Sequence, residues 1–161
     1  MAKKSEAPRK PGSPVVHNKK ARFNFHIDET LEAGISLVGS EVKSLRQGQG
    51  SLDESFARVR DDEVFLVNMH IGPYLEAREQ HEPKRPRKLL LHRREISRVI
   101  ERALAKGCTL VPLKLYWKGG RVKIELAIAR GKRQFDKRED MKRRDTQREV
   151  DRVLTQRERR R

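Results

Sequence analysis

Hydrophobic and polar positions alternate with a period of two through much of the middle of the chain. Phe23, Phe25 and Ile27 are separated by Asn24, His26 and Asp28, and Leu31, Ala33, Ile35 and Leu37 by Glu32, Gly34 and Ser36. Strand side chains point alternately to two faces, so both stretches read as half-buried strands. Residues 55–60 and 64–71 read as a hairpin around Asp61-Asp62-Glu63. The clearest hairpin comes later: Val111, Leu113, Leu115 and Trp117 alternate, Gly119-Gly120 turns the chain, and Val122, Ile124, Leu126 and Ile128 return. Pro112 has no N–H to give a ladder, so its strand is expected to begin there or to lie at an edge.

The 3.6-residue period appears in two places. Ser40 is placed to cap a short helix ending at Arg46, with Glu41 at its positive end and Gly48 beyond its exit. Residues 89–106 put Ile96, Val99, Ile100, Ala103 and Leu104 on one face, and Gly107 stops them. Residues 76–88, with Pro83 and Pro86 among charges, read as a mobile surface loop. The fold class predicted is mostly β: a small antiparallel β-barrel with two or three short helices as plugs or covers. Closure removes the edges that an open sheet of six strands would expose.

Composition divides the 161 residues into three zones. Residues 1–20 are rich in Lys, Pro and Gly and read as a flexible basic arm. Residues 21–130 hold nearly all the aromatic and branched side chains and form the folded domain. Residues 131–161 are mostly charge, broken by Phe135, Met141, Val150, Val153 and Leu154. Two pairs there, Glu139–Arg143 and Asp140–Arg144, have helical spacing in the favourable order, each worth about 0.2–0.5 kcal/mol. That is too little for an isolated helix. A basic tail that is disordered when free and helical in an RNA-lined groove is the expectation.

Charge narrows the function. Lys and Arg number 39 against 23 Asp and Glu, a formal net charge of +16, which points to a polyanionic partner. Basic residues gather at Lys19-Lys20-Ala21-Arg22, at Lys43 and Arg46, at residues 84–88, at Lys123 and at residues 130–133, flanking the strands. Small barrels bind RNA with such residues on phosphates and aromatics on bases. Catalysis finds no support: the five histidines lack metal-site spacing, the Gln-Gly-Gln-Gly run at 47–50 has no Lys-Ser/Thr after it, and no nucleophile–base motif stands out. No metal or cofactor is expected. The single cysteine, Cys108, excludes an internal disulfide and suits a reducing cytoplasm. No apolar run approaches the roughly 20 residues that span a bilayer, and the first dozen residues lack an apolar signal segment, so no membrane partner is expected.

Five segments together resemble the SmpB family, the protein partners of transfer-messenger RNA. They are Asn18-Lys-Lys-Ala-Arg22; Leu31-Glu-Ala-Gly34 with Gly39-Ser-Glu-Val-Lys-Ser-Leu-Arg46; Arg87-Lys-Leu-Leu-Leu-His92; Leu115-Tyr-Trp-Lys118; and Gly131-Lys-Arg-Gln-Phe-Asp-Lys-Arg138. The resemblance implies an oligonucleotide-binding-like (OB-like) barrel that holds the tRNA-like domain of transfer-messenger RNA and stands in for the missing anticodon arm. It also implies a tail that enters the empty messenger channel of a stalled ribosome, at the small-subunit decoding region, by a protein that is a monomer on its own. On matching positions, Asn18, Lys19, Arg22, Glu32, Lys43, Arg46, Lys88, Leu90 and Lys123 would form the transfer-messenger RNA face. Arg46 and Lys123 would meet phosphates, Glu32 a 2′-hydroxyl, a base or a neighbouring Arg, and Leu90 a ribose or base. Lys132, Arg133, Lys137 and Arg138 would meet ribosomal RNA, with Phe135 stacking on a base. The chain departs from the family at Ser40, where relatives often carry Trp.

Overall fold

The computed structural model describes residues 14–104 and 107–158. In chain order the elements are β1 (Pro14–His17), α1 (Ala21–Asn24), β2 (Phe25–Ile35), α2 (Gly39–Arg46), β3 (Gly50–Ser51), β4 (Phe56–Arg60) and β5 (Glu63–Val67). There follow β6 (His70–Ile71), β7 (Arg87–Leu90), α3 (Arg93–Leu104), β8 (Cys108–Lys118), β9 (Arg121–Gly131) and α4 (Gln134–Glu158).

The sheet is antiparallel throughout. Pairings run β8–β4–β5–β7–β2–β9, and β9 pairs with β8 again, so six strands form a closed circuit with β1 added on β8. Inside it lie Ala33, Leu66, Leu89, Leu110, Leu115, Ile124, Leu126 and Ile128, all buried, and Val99 of α3 reaches the same core. A second cluster of Ala21, Val111, Leu113 and Ala127 lies apart from it. That cover explains why the buried run in β8 is continuous from Leu110 to Leu113 instead of alternating.

The late hairpin forms as the alternation predicts. Gly119 and Gly120 both have positive φ, +55° and +73°, which a two-residue turn matching the strand twist requires. Asp61 and Asp62 do the same between β4 and β5, at +51° and +56°.

Several expectations are corrected. Phe23 lies in the helical turn α1, not in a strand, because Asn18 Oδ1 and the Lys20 carbonyl collect the N–H groups of Ala21, Phe23 and Asn24 there. β2 is instead one strand from Phe25 to Ile35. Within the expected basic arm, Pro14–His17 pairs with β8 and Val16 packs on the core. Residues 87–90 form β7 between β5 and β2, so α3 starts only at Arg93. Pro112 lies inside β8, where its outer neighbour changes from β4 (at Leu110) to β1 (from Lys114), leaving no N–H demanded.

The cap of α2 is also not Ser40: the helix begins at Gly39, and Glu41 accepts the Val38 N–H at 2.9 Å. The carboxyl segment is the 25-residue α4. No ion pair joins Glu139 to Arg143, both exposed, and the side chains of Asp140, Arg144, Val153 and Leu154 lie outside the described residues.

A candidate nucleic-acid interface

An open groove lies at the turn end of the β8–β9 hairpin. Trp117, Gly120 and Lys123 line it from the hairpin, Leu90 from β7, and Leu37 and Val42 from the approach to α2 and its first turns. Leu90 pairs with Gly34 across the β7–β2 ladder, and a Cβ on Gly34 would stand 3.1 Å from the Leu90 Cβ. The bare glycine lets Leu90 lie flat against the strand while 53% of it stays exposed. Arg46, in the last turn of α2, places its guanidinium 5.5 Å from the Trp117 ring centre. Leu90, Lys123 and Arg46, far apart in sequence, thus meet around one tryptophan.

Glu32 governs the adjoining outer face. Its carboxylate accepts from the Tyr116 hydroxyl and from Lys118 Nζ at 2.9 and 3.0 Å, with Lys123 Nζ 4.0 Å away. The Tyr116 hydrogen bond and then that of Lys118 hold the Glu32 carboxyl below its ordinary pKa. Burial and the Glu32 carboxylate push the Tyr116 hydroxyl up to about 12, so it stays a neutral donor. Lys114 sits over Tyr116 and pairs with Glu125 at 2.7 Å. Glu32 therefore orients a tyrosine and two lysines on one face of the sheet.

The groove's edge at α2 is held by a buried ionic cluster. Glu41 is fully buried and accepts Arg85 Nε and Nη2 at 2.9 and 2.6 Å, Arg87 Nε at 2.8 Å and the Val38 N–H. Arg87, also fully buried, donates onward to the Met69, Arg85 and Pro83 carbonyls. Burial alone would raise the Glu41 carboxyl, but the hydrogen bonds from Arg85 and Val38 and the Arg87 charge outweigh it and leave the pKa lowered. Ser44 Oγ donates to the Gly72 carbonyl at 2.7 Å, and His81 Nδ1 lies 3.0 Å from Ser40 Oγ. Of residues 76–88, expected as a mobile loop, His81, Arg85 and Arg87 are thereby tied to α2. Sequence reasoning placed Glu41 as a helix-end acid and missed its partners, Arg85 in the loop after β6 and Arg87 at the start of β7. It also left Tyr116 and Trp117 as motif letters, although an aromatic pair beside a glycine turn was a visible signal.

The other expected contact residues divide. Asn18 does not enter the groove: its Nδ2 donates to the Pro112 and Leu52 carbonyls, and its Oδ1 accepts the Ala21 N–H. Lys19, just before α1, and Arg22, within it, are exposed. Lys43 lies over the Tyr74 ring at 5.2 Å, and Lys88 is paired with Glu63.

At the opposite end of the hairpin, Lys132 Nζ donates to the Arg22 carbonyl at 3.1 Å and its N–H to Asn24. Asp136 accepts the Arg133 N–H and lies 3.5 Å from His26 Nε2. Arg133 and Arg138 are exposed and Lys137 half-buried. Phe135 falls in the first turn of α4, with its side chain outside the described residues.

Among the described residues no group of His, Cys, Asp or Glu could hold a metal ion, and no helix is long and apolar enough to cross a membrane.

Comparison with known proteins identifies the family. The SmpB protein family matches residues 15–156. An SsrA-binding protein of Chloroflexus aurantiacus is 58% identical over 142 residues, covering 87% of this chain and 89% of the relative. Another, from Geobacillus thermodenitrificans, is 53% identical over 152 residues, covering 94% and 98%. A solved structure described as "tmRNA-SmpB: a journey to the center of the bacterial ribosome" aligns with a TM-score of 0.64 at 46% identity, covering 79% of this chain and 94% of that one. The chain belongs to the SmpB protein family.

Proposed function

We propose that this chain is an RNA-binding protein of trans-translation, with no catalytic step of its own. It binds the tRNA-like domain of transfer-messenger RNA and delivers it to stalled ribosomes that lack a codon in the decoding site. There it replaces the missing anticodon arm, so that the stalled peptide is tagged and the ribosome released. The observation that carries this reading is the meeting of Arg46, Lys123 and Leu90 around Trp117, with Glu32 on the adjoining face, in a chain of net charge +16, in a family whose relatives are called SsrA-binding proteins.

The closed circuit of six strands fits a small OB-like barrel, the scaffold this task needs: rigid, edge-protected and open to RNA on one face. In the division of labour proposed, residues 21–130 grip transfer-messenger RNA on the face bearing Lys43, Arg46, Leu90 and Lys123. Residues 131–161 engage the messenger channel, through Lys132, Arg133, Phe135, Lys137 and Arg138. The exposure of Met141 and Val150 along α4 supports a helix that gains its packing partner only inside ribosomal RNA. Both partners are cytoplasmic, and so is the proposed site of action.

Affinity purification of the tagged chain from cells, with sequencing of the retained RNA, tests the reading. One dominant structured RNA with a tRNA-like end is expected. Recovery of whole ribosomal subunits in its place would assign the chain to ribosome structure.

A further inference from the structure

Polar groups do most of the work of seating α2. Of its eight residues those buried are Glu41, Ser44 and Leu45, so a single leucine is its buried apolar anchor. Hydrophobic burial has no direction, and one leucine does not stop a short helix from turning about its own axis. Lys43 and Arg46 are exposed, on the side of the helix away from Glu41, Ser44 and Leu45. Side chains lie about 5–6 Å from a helix axis, so a turn of about 30° carries them about 3 Å. That is enough to lose a phosphate contact.

Directional bonds from residues 72–87 resist such a turn. Arg85 reaches both Glu41 carboxylate oxygens, through Nε at 2.9 Å and Nη2 at 2.6 Å, while Arg87 Nε donates at 2.8 Å. A guanidinium fork sets the plane of a carboxylate as well as its distance. Arg87 is itself fixed by donating to the Met69, Arg85 and Pro83 carbonyls. Three residues along the same helix face, Ser44 Oγ donates to the Gly72 carbonyl at 2.7 Å. Two attachments on one face define the rotation of α2.

We infer that Glu41, Arg85 and Arg87 are positioning residues for RNA binding, which fix the rotation of α2 and so aim Lys43 and Arg46 together at phosphates of the partner. None of the three touches RNA in this account. The inference rests on the RNA-binding reading and adds that the segment 72–87 governs cations it does not carry.

Trp117 is the sole tryptophan, and the Arg46 guanidinium lies 5.5 Å from its ring centre. Emission of the free chain therefore reports where the end of α2 stands, and Arg46→Ala gives the value for an uncovered ring. Arg85 is the half-exposed arm of the cluster, and Arg85→Gln leaves Glu41 paired with Arg87. In the full chain, below its melting transition, Arg85→Gln should move the emission toward the Arg46→Ala value. Added to Arg46→Ala, it should change the emission no further. Titrations with the tRNA-like domain at several salt concentrations give the second readout. There log K against log salt should flatten by about two phosphates, although neither Lys43 nor Arg46 has been replaced. Glu41→Gln should do the same.

A role in stability alone lowers the urea midpoint and leaves the folded chain's emission and salt slope as they were; that result for Arg85→Gln overturns the inference. So does a shifted emission with an unaltered slope, because the cations would then find phosphate without being aimed. If the unaltered chain forms no complex at low salt, the RNA-binding reading fails, and the emission still decides whether Arg85 orients α2. Should Glu41→Gln fail to fold, Arg85→Gln carries the test.

Discussion

The two ends of the β8–β9 hairpin treat charge differently. At the turn end, charged groups are engaged: Glu41 by two arginines, Glu32 by Tyr116 and Lys118, and Arg46 by the Trp117 ring. At the other end the chain leaves β9 at Gly131, is tied by Lys132 and Asp136, and then runs along α4. There Arg138, Glu139, Lys142 and Arg143 are exposed, and one observed pair, Arg148–Asp145, is a loose 3.7 Å. Exposed pairs of that kind contribute little. The first region holds its charges through partners on other elements, and the second carries exposed cations along a helix. From Lys123 to Gly131 along β9 is roughly 25 Å at a strand's rise per residue, so one end can be altered without touching the other.

Removing residues 131–161 breaks the comparison most severely. Peptide tagging on stalled ribosomes is expected to fall to background, while gel shifts with the tRNA-like domain show binding retained, weakened only as far as the lost general charge dictates at low salt. Glu41→Ala comes next. It leaves Arg87 buried without its counter-charge, and breaking a buried pair costs about 3–5 kcal/mol, read as a lower urea midpoint.

Acid gives a gentler version of the same effect. The Glu41 carboxyl is lowered in the folded chain, so its contribution is complete above the ordinary carboxylate range, about 4.3 for Glu, and is lost as pH falls through the lower folded value. Melting temperature should drop below about pH 4, and Glu41→Gln should remove part of that slope.

Smaller still is Arg46→Ala, which should weaken RNA binding and flatten log K against log salt by about one phosphate. Gly119→Ala is expected to cost about 1 kcal/mol through its positive φ, measured by urea unfolding, with tagging unaffected.

Legibility in the sequence followed the range of each interaction. Strand alternation and the Gly119-Gly120 turn are local, and β2, the β4–β5 hairpin and the β8–β9 hairpin were all readable. Phe23 fitted the same alternation by accident, and what decided against it was the Asn18 carboxamide capping a turn. Residues 89–92 could continue the helical period of α3, yet β5 and β2 claim residues 87–90 as a strand between them. The buried cluster was invisible because Glu41 meets arginines across an intervening loop, and nothing in a window around Glu41 marks it as buried. Of the contact face as proposed, Arg46, Leu90 and Lys123 came from family motifs. Trp117, which joins them, was not singled out because its role exists only once α2 is docked.

The central claim is that the grooved strand region is shaped for a tRNA-like fold and is more than a cationic surface. Competition at moderate salt between the tRNA-like domain and random-sequence RNA of equal length, using the chain without residues 131–161, tests it directly. The account predicts that the tRNA-like domain displaces the random RNA and resists displacement in return. Equal competition, length for length, would contradict it.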